Sequence, residues 1–262
     1  MHHAVVIARR EIESSFVSPI ACAVMAVFTF VSGLFFSNMF VHYVRQAALA
    51  DAQIQKFGRS DLQLDVPTVV LAQFFQNEAF LLMLAVPLLT MGLVADERRK
   101  GTIELLMTSP VRGVEIVSGK FLGAMTFLAL MLLPLVPMFA FMGVGGTWEA
   151  GVIASGLLGL LLLGGAQIAL GLFVSSLCEN MLVSAIGTYG LIVTLQFIDT
   201  GGAAGGGSVW ARLLGSLSFY ARQLNSTRGV IATADIVYFA SWIALGLFLA
   251  QRSVEALRYK RS

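Results

Sequence analysis

Few side chains in this sequence could carry covalent chemistry, and their spacing argues against it. In RGVEIVSGKF, Gly113, Gly119 and Lys120 have the outline of a phosphate-binding loop, but the glycines stand one residue too far apart. Phe121 also occupies the place where a Ser or Thr would hold magnesium. No H-E-x-x-H zinc pair, no G-x-S-x-G elbow and no pair of aspartates within an apolar run occurs. His2 and His3 have no third ligand nearby, so they do not read as a metal site. What remains is a stretch suited to contact rather than catalysis: Asp96 to Val111, DERRKGTIELLMTSPV. Five charged residues stand together from Asp96 to Lys100, and Gly101 then breaks the path. Thr102 can cap a new helix through its hydroxyl, with Glu104 in the first turn, where the macrodipole favours negative charge. Ile103, Leu106 and Met107 give that helix one apolar face, and Pro110 stops it within two turns. So short a helix is marginal alone in water and needs a surface to dock against. On periodicity alone the surface is either membrane headgroups or another protein.

The elements that must position this stretch are set by composition. The chain has 262 residues, 57% hydrophobic and 12% charged, with a mean hydropathy of +0.83. Soluble domains have about 25% charged residues, so this is expected to be an integral membrane protein. A formal net charge of +2 gives no reason to expect nucleic acid. Two cysteines, Cys22 and Cys178, cannot make a disulfide framework and are expected to be free thiols. No cleavable signal peptide is evident.

Residues 1–18 read as an interfacial elbow helix, with Val5, Ala8, Ile12 and Phe16 on one face and Arg10, Glu11 and Glu13 elsewhere. The uncharged runs then predict six spans of adequate length: residues 19–42, 76–95, 116–143, 150–178, 180–198 and 231–252. Pro87 is a candidate kink in the second, and Pro134 and Pro137 should bend the third. Residues 43–75 read as an outer loop with one helical piece, and residues 199–230 as an outer loop with short helices beyond a glycine-rich linker. The coupling stretch, 96–111, lies between spans two and three, and 253–262 form a basic tail. Eleven of the 17 Lys and Arg fall on the side of the termini in this scheme, which places both termini in the cytosol. The predicted fold is therefore all-α, with six transmembrane helices, an elbow helix and a short cytoplasmic coupling helix.

The spans have no charged residue in their predicted interiors, Glu78 and Asp235 falling at predicted outer ends. Intramembrane charge usually marks an ion or proton path, so its absence speaks against a proton-coupled carrier. Candidate pathway-lining residues are Asn38, Gln167 and Gln196; a hydrogen bond to a neighbouring helix is the plainer role for Gln167. Ser155/Gly159 and Gly165/Ala169 are small-xxx-small pairs suited to close helix packing or to a dimer seam.

The run ERRKGTIELLMTSPV resembles the coupling-helix segment of ABC-2 type transporter permeases, matching at Glu97, Gly101, Thr102, Glu104, Leu106 and Pro110. The stretch from Phe219 through Arg228, Gly229, Val230, Ile231, Asp235, Tyr238 and Phe239 resembles the gliding-motility-associated branch of that family. The resemblance implies a non-enzymatic permease subunit in a bacterial inner membrane, with an ABC ATP-binding subunit holding ATP and magnesium. It implies contact with that subunit through Glu97, Arg98, Gly101, Thr102, Ile103, Glu104, Leu106, Met107 and Pro110. It also implies a second permease half, either a copy of this chain or a relative. Export of a substrate is the expected activity. Two alternatives stay open: a subunit that transmits force to a periplasmic or envelope protein without moving solute, and an ATP-independent carrier. The substrate is not legible.

Overall fold

A computed structural model describes residues 2–57, 66–101, 113–143, 150–203, 215–220, 222–223 and 233–259. Thr102, Ile103, Glu104, Leu106, Met107 and Pro110, and with them the predicted coupling helix, lie outside the described residues.

The long elements are α1 (His2–Val17), α2 (Pro19–Phe57), α3 (Val66–Thr90), the short α4 (Ala95–Arg99), α5 (Gly113–Leu132), α6 (Leu135–Gly143), α7 (Ala150–Leu177), α8 (Met181–Ala203) and α9 (Thr233–Tyr259). Every described element is helical, and six stretches are long and apolar enough to cross a membrane. In lipid a helix satisfies all its backbone groups within itself, which is why runs this apolar fold this way.

Several boundaries differ from the sequence reading, for local reasons. The first span does not give way to a loop at residue 43: α2 continues to Phe57, and α3 starts at Val66 rather than 76. Alanines at 47, 48, 50 and 52 are strong helix formers, and no breaker stands before Gly58. Pro67 is the second residue of α3, where its missing N–H costs nothing. The tail expected from 253 is helical to Tyr259, supported by Gln251–Glu255 and Arg252–Glu255 contacts along the helix. The third span is interrupted at Leu133–Pro134, and α6 restarts with Val136 N–H donating to the Leu133 carbonyl. Pro137 falls in the first turn of α6, where proline is tolerated. Pro87 sits inside α3, which ends three residues later at Thr90.

The bundle is arranged around α7, which packs against α3, α5, α8 and α9 and is apolar on every side. Its glycines allow the approach. A Cβ on Gly156 would strike the Phe75 ring of α3, and one on Gly171 would strike Thr90. These two contacts keep the same spacing on both helices, so α3 and α7 run parallel. On α9, a Cβ at Gly246 would lie 2.8 Å from the Ala169 carbonyl carbon of α7. Gly165 faces Ile243 of α9 and Met125 of α5. The Gly165/Ala169 pair thus serves packing within the chain, leaving none of its surface for a dimer seam. At the end opposite the Asp96–Lys100 cluster, aromatic rings close the bundle. Phe74 meets Phe36 and Phe139 edge-on, and Phe219 is buried among Tyr238, Phe239 and Trp242.

Segment 215–223 falls in the expected outer loop 199–230, whose short helices follow from an apolar stripe of Trp210, Leu213, Leu214 and Leu217. Its described residues dip in: Ser218, Phe219 and Gln223 are buried. Gln223 donates to the Phe75 carbonyl, and Tyr238 donates its hydroxyl to the Leu217 carbonyl. Trp210, Leu213 and Leu214 of the same expected stripe lie outside the described residues.

Candidate functional site

The charged stretch begins where α3 ends. Thr90 turns its hydroxyl back to the Val86 carbonyl (2.9 Å), and a tight turn carries the chain to α4. Five residues cannot stabilise a helix alone; α4 is held from outside. Ser175, on the last turn of α7, accepts the Val94 and Ala95 N–H groups at 3.1 and 3.2 Å and donates to the Met91 carbonyl at 3.1 Å. One hydroxyl thus uses its donor and both acceptor positions, capping α4 across the bundle where its own N-cap residue, Val94, has no side-chain bond to offer.

Arg98 returns the contact. It donates to the Ser176 carbonyl at 2.9 Å and to Glu179 Oε1 at 2.8 Å. Ser176 is in the last turn of α7, whose terminal carbonyls lack helical partners and whose dipole favours a cation. Each helix therefore completes the terminus of the other. Glu97 points to the opposite side, where Lys120 of α5 donates to Glu97 Oε1 at 3.0 Å and to Glu11 Oε1 of α1 at 2.5 Å. Lys120 is 2% exposed, and the Glu11 and Glu97 side chains are 17% and 15% exposed. One buried ammonium thus ties the elbow helix to the charged stretch. A buried ion group persists only when its partners satisfy it, so these three residues fix their helices' mutual positions.

After Arg99 the chain leaves the helix through Gly101, at φ 70°. That left-handed conformation suits glycine, and the Gly101 N–H bonds the Arg98 carbonyl as helix-ending glycines do. The chain re-enters the described structure at Gly113, over which the Glu255 side chain of α9 packs. Residues 102–112 therefore leave from a point fixed on α7, α5 and α1 and return at the start of α5, beside Glu255 of α9. A cavity of about 170 Å³ opens beside them, its lining including Glu11, Ser14, Ser18 and Asp96.

Of the residues singled out from the sequence, the structure brings Glu97, Arg98 and Gly101 together at this end. The pathway candidates do not cluster with them. Asn38 is exposed and donates to the Leu34 carbonyl of its own helix. Gln167 is fully buried, and among the described residues neither its amide oxygen nor its nitrogen has a hydrogen-bond partner, so the bond to a neighbouring helix is not seen there. Gln196 is 6% exposed with its oxygen unpartnered.

Sequence reasoning missed Glu11, Lys120, Ser175 and Glu179. Lys120 was read as the start of a span, but α5 begins at Gly113 and buries it in the third turn. A lone lysine ahead of 28 uncharged residues was the available signal. Glu11 was assigned away from the apolar face of α1, the helix being read as lying in the headgroup plane. Val5, Val6 and Val17 are exposed, while Ala8 and Glu11 lie against Gly123 of α5. A helix at a bilayer turns apolar residues to lipid and can spend its polar ones on protein.

Glu78 stands deeper than the outer-end position expected for it, whereas Asp235 is at a span end as expected. Glu78 is fully buried and lies inside the Leu71–Arg99 span, because α3 starts ten residues earlier than expected. Asp235, near the start of α9, is 2% exposed and accepts from Arg222 at 3.2 Å.

A family model described as ABC-2 family transporter protein matches residues 5–212, about four-fifths of the chain. No curated protein matches it. The matched residues include the elbow helix, the charged stretch, Lys120 and Ser175, and the six apolar helices are those of a multi-pass membrane protein. The chain belongs to the ABC-2 family of transporter proteins, as a membrane subunit of an ABC transporter.

Proposed function

We propose that this subunit exports a substrate across the bacterial inner membrane, using ATP hydrolysed with magnesium on a separate ABC subunit that docks on residues 96–111. In this reading the end holding Glu97 and Lys120 faces the cytosol, as do both termini. A second permease half, a copy or a relative, completes the pathway. The terminal motif from Arg228 to Phe239 stands beyond the family match and resembles the gliding-motility-associated branch.

The observation that carries this reading is the fixed point from which residues 102–112 leave the bundle. A stretch lying passively on headgroups needs no fixed ends. Here the near end is capped by Ser175, clamped by Arg98 and bridged through Lys120 to Glu11, and the far end sits under Glu255. A push on the docking segment is therefore delivered to α1, α5, α7 and α9 together. The apolar residues Ile103, Leu106 and Met107 supply a face for the partner.

The test is Glu104→Arg and, separately, Leu106→Asp. Each should lower recovery of an ATPase partner in pull-downs from native membranes while the permease still inserts. Normal recovery and normal stimulation of ATPase activity in both variants would sink the docking assignment.

A further inference from the structure

Glu78 has no role in the coupling end and is the most deeply buried carboxyl of the described chain. Its relative exposure is 0%, and it lies well inside the Leu71–Arg99 apolar span. Ser32 of α2 donates to its Oε2 at 2.9 Å, and its Oε1 has no partner. None of the cavities beside α1 and α5, between α2 and α3, or between α5 and α9 is lined by it.

The charged groups described on the elements around it stand away from it. On α2 the titratable residues flanking Ser32 are Cys22 and His42, each ten positions and so about 15 Å away along the helix. Neither α6 nor α7 carries a titratable residue. On α8, Tyr189 is exposed, and Asp199 stands past the apolar span ending at Ile198. On α5, Lys120 is held by Glu11 and Glu97 at the other end of the bundle. Arg222, next to the Gln223 that bonds the Phe75 carbonyl, is paired with Asp235 of α9. A carboxylate anion here would have one hydroxyl donor and no countercharge among the described residues. That environment favours the neutral acid strongly, since an unpaired charge in an apolar medium costs far more than a neutral polar group.

We propose that Glu78 is an intramembrane proton-binding site, held as the neutral acid in this conformation between α2 and α3. Loss of the proton leaves the carboxylate and hands H⁺ to water, so it requires water to reach Oε1. Parting α2 from α3, which breaks the Ser32 bond, is the route, because α2 is the least buried of the six spans. The inference is independent of the docking assignment, since it concerns the opposite half of the bundle and needs no ATPase.

Infrared difference spectra of the full chain in lipid nanodiscs, wild type minus Glu78→Gln, test it directly. At neutral pH the difference should contain a protonated-carboxyl carbonyl band. Ser32→Ala should shift that band without removing it, and D₂O should exchange it slowly. A difference holding only carboxylate bands, or exchange complete on mixing, would overturn the proposal. Should Glu78→Gln not fold, Glu78→Asp takes its place: a shifted acid band supports the site, and carboxylate bands alone refute it. Mass spectrometry of wild-type protein treated with a membrane-soluble carbodiimide gives a second reading. An adduct on Glu78 is expected, and equal labelling by a water-soluble carbodiimide would refute burial.

Discussion

The two halves of the bundle treat buried charged groups differently, although at the α4 end the Ser184 hydroxyl, one turn into α8, also has no partner among the described residues. At the end where α4 lies, every invoked group is answered: Lys120 by two carboxylates, Ser175 by three backbone groups, Arg98 by a carbonyl and a carboxylate. Deeper in the bundle and toward the other end, Glu78, Asp235, Gln167 and Gln196 each keep at least one buried atom without a partner. Networks satisfied in full are rigid and specify one arrangement.

The sharpest way to break the contrast is Lys120→Met. It removes the ammonium that joins Glu11 to Glu97, and removal of one partner from a buried ion group costs about 3–5 kcal/mol. Thermal unfolding in micelles should show a large drop, and the further changes Glu11→Gln and Glu97→Gln should recover part of it. Ser175→Ala should cost less, about 1–2 kcal/mol, because the α4 N–H groups lose their cap. Faster hydrogen exchange at Val94 and Ala95 than in wild type would report it; unchanged exchange would mean the cap is not needed. In the other half, Asp235→Asn should change stability by less than about 1 kcal/mol, since its Arg222 partner is a third exposed and can turn to water. Ser32→Ala should be smallest, near the roughly 0.6 kcal/mol average of interhelical hydrogen bonds in membranes. A larger thermal shift for Ser32→Ala than for Ser175→Ala would reverse the ranking of the two halves.

How much was legible follows from the range of the forces involved. Six long uncharged runs show themselves in the sequence because lipid acts on each segment separately. The break at Gly101 was equally legible, since it depends on one residue's backbone freedom. Boundaries were less so: α2 outlasts its apolar run because helix propensity continues where hydrophobicity stops.

Partnerships across the bundle were not legible at all. Nothing local marks Ser175 as a cap for residues 81 positions away, or Glu11 as the partner of a lysine 109 positions on. Both depend on which helix faces α7 or α5, and at which height. Composition alone determined that this chain crosses a membrane six times and presents a charged, glycine-broken stretch between two spans. Only the packing of α7 against its neighbours decided that this stretch leaves from a fixed point on the bundle, and that Glu78 is enclosed instead of standing at a rim. Hydropathy is a sum over a segment; the pairing of buried charges depends on the register between segments, which the glycines of α7 and α9 set through contact.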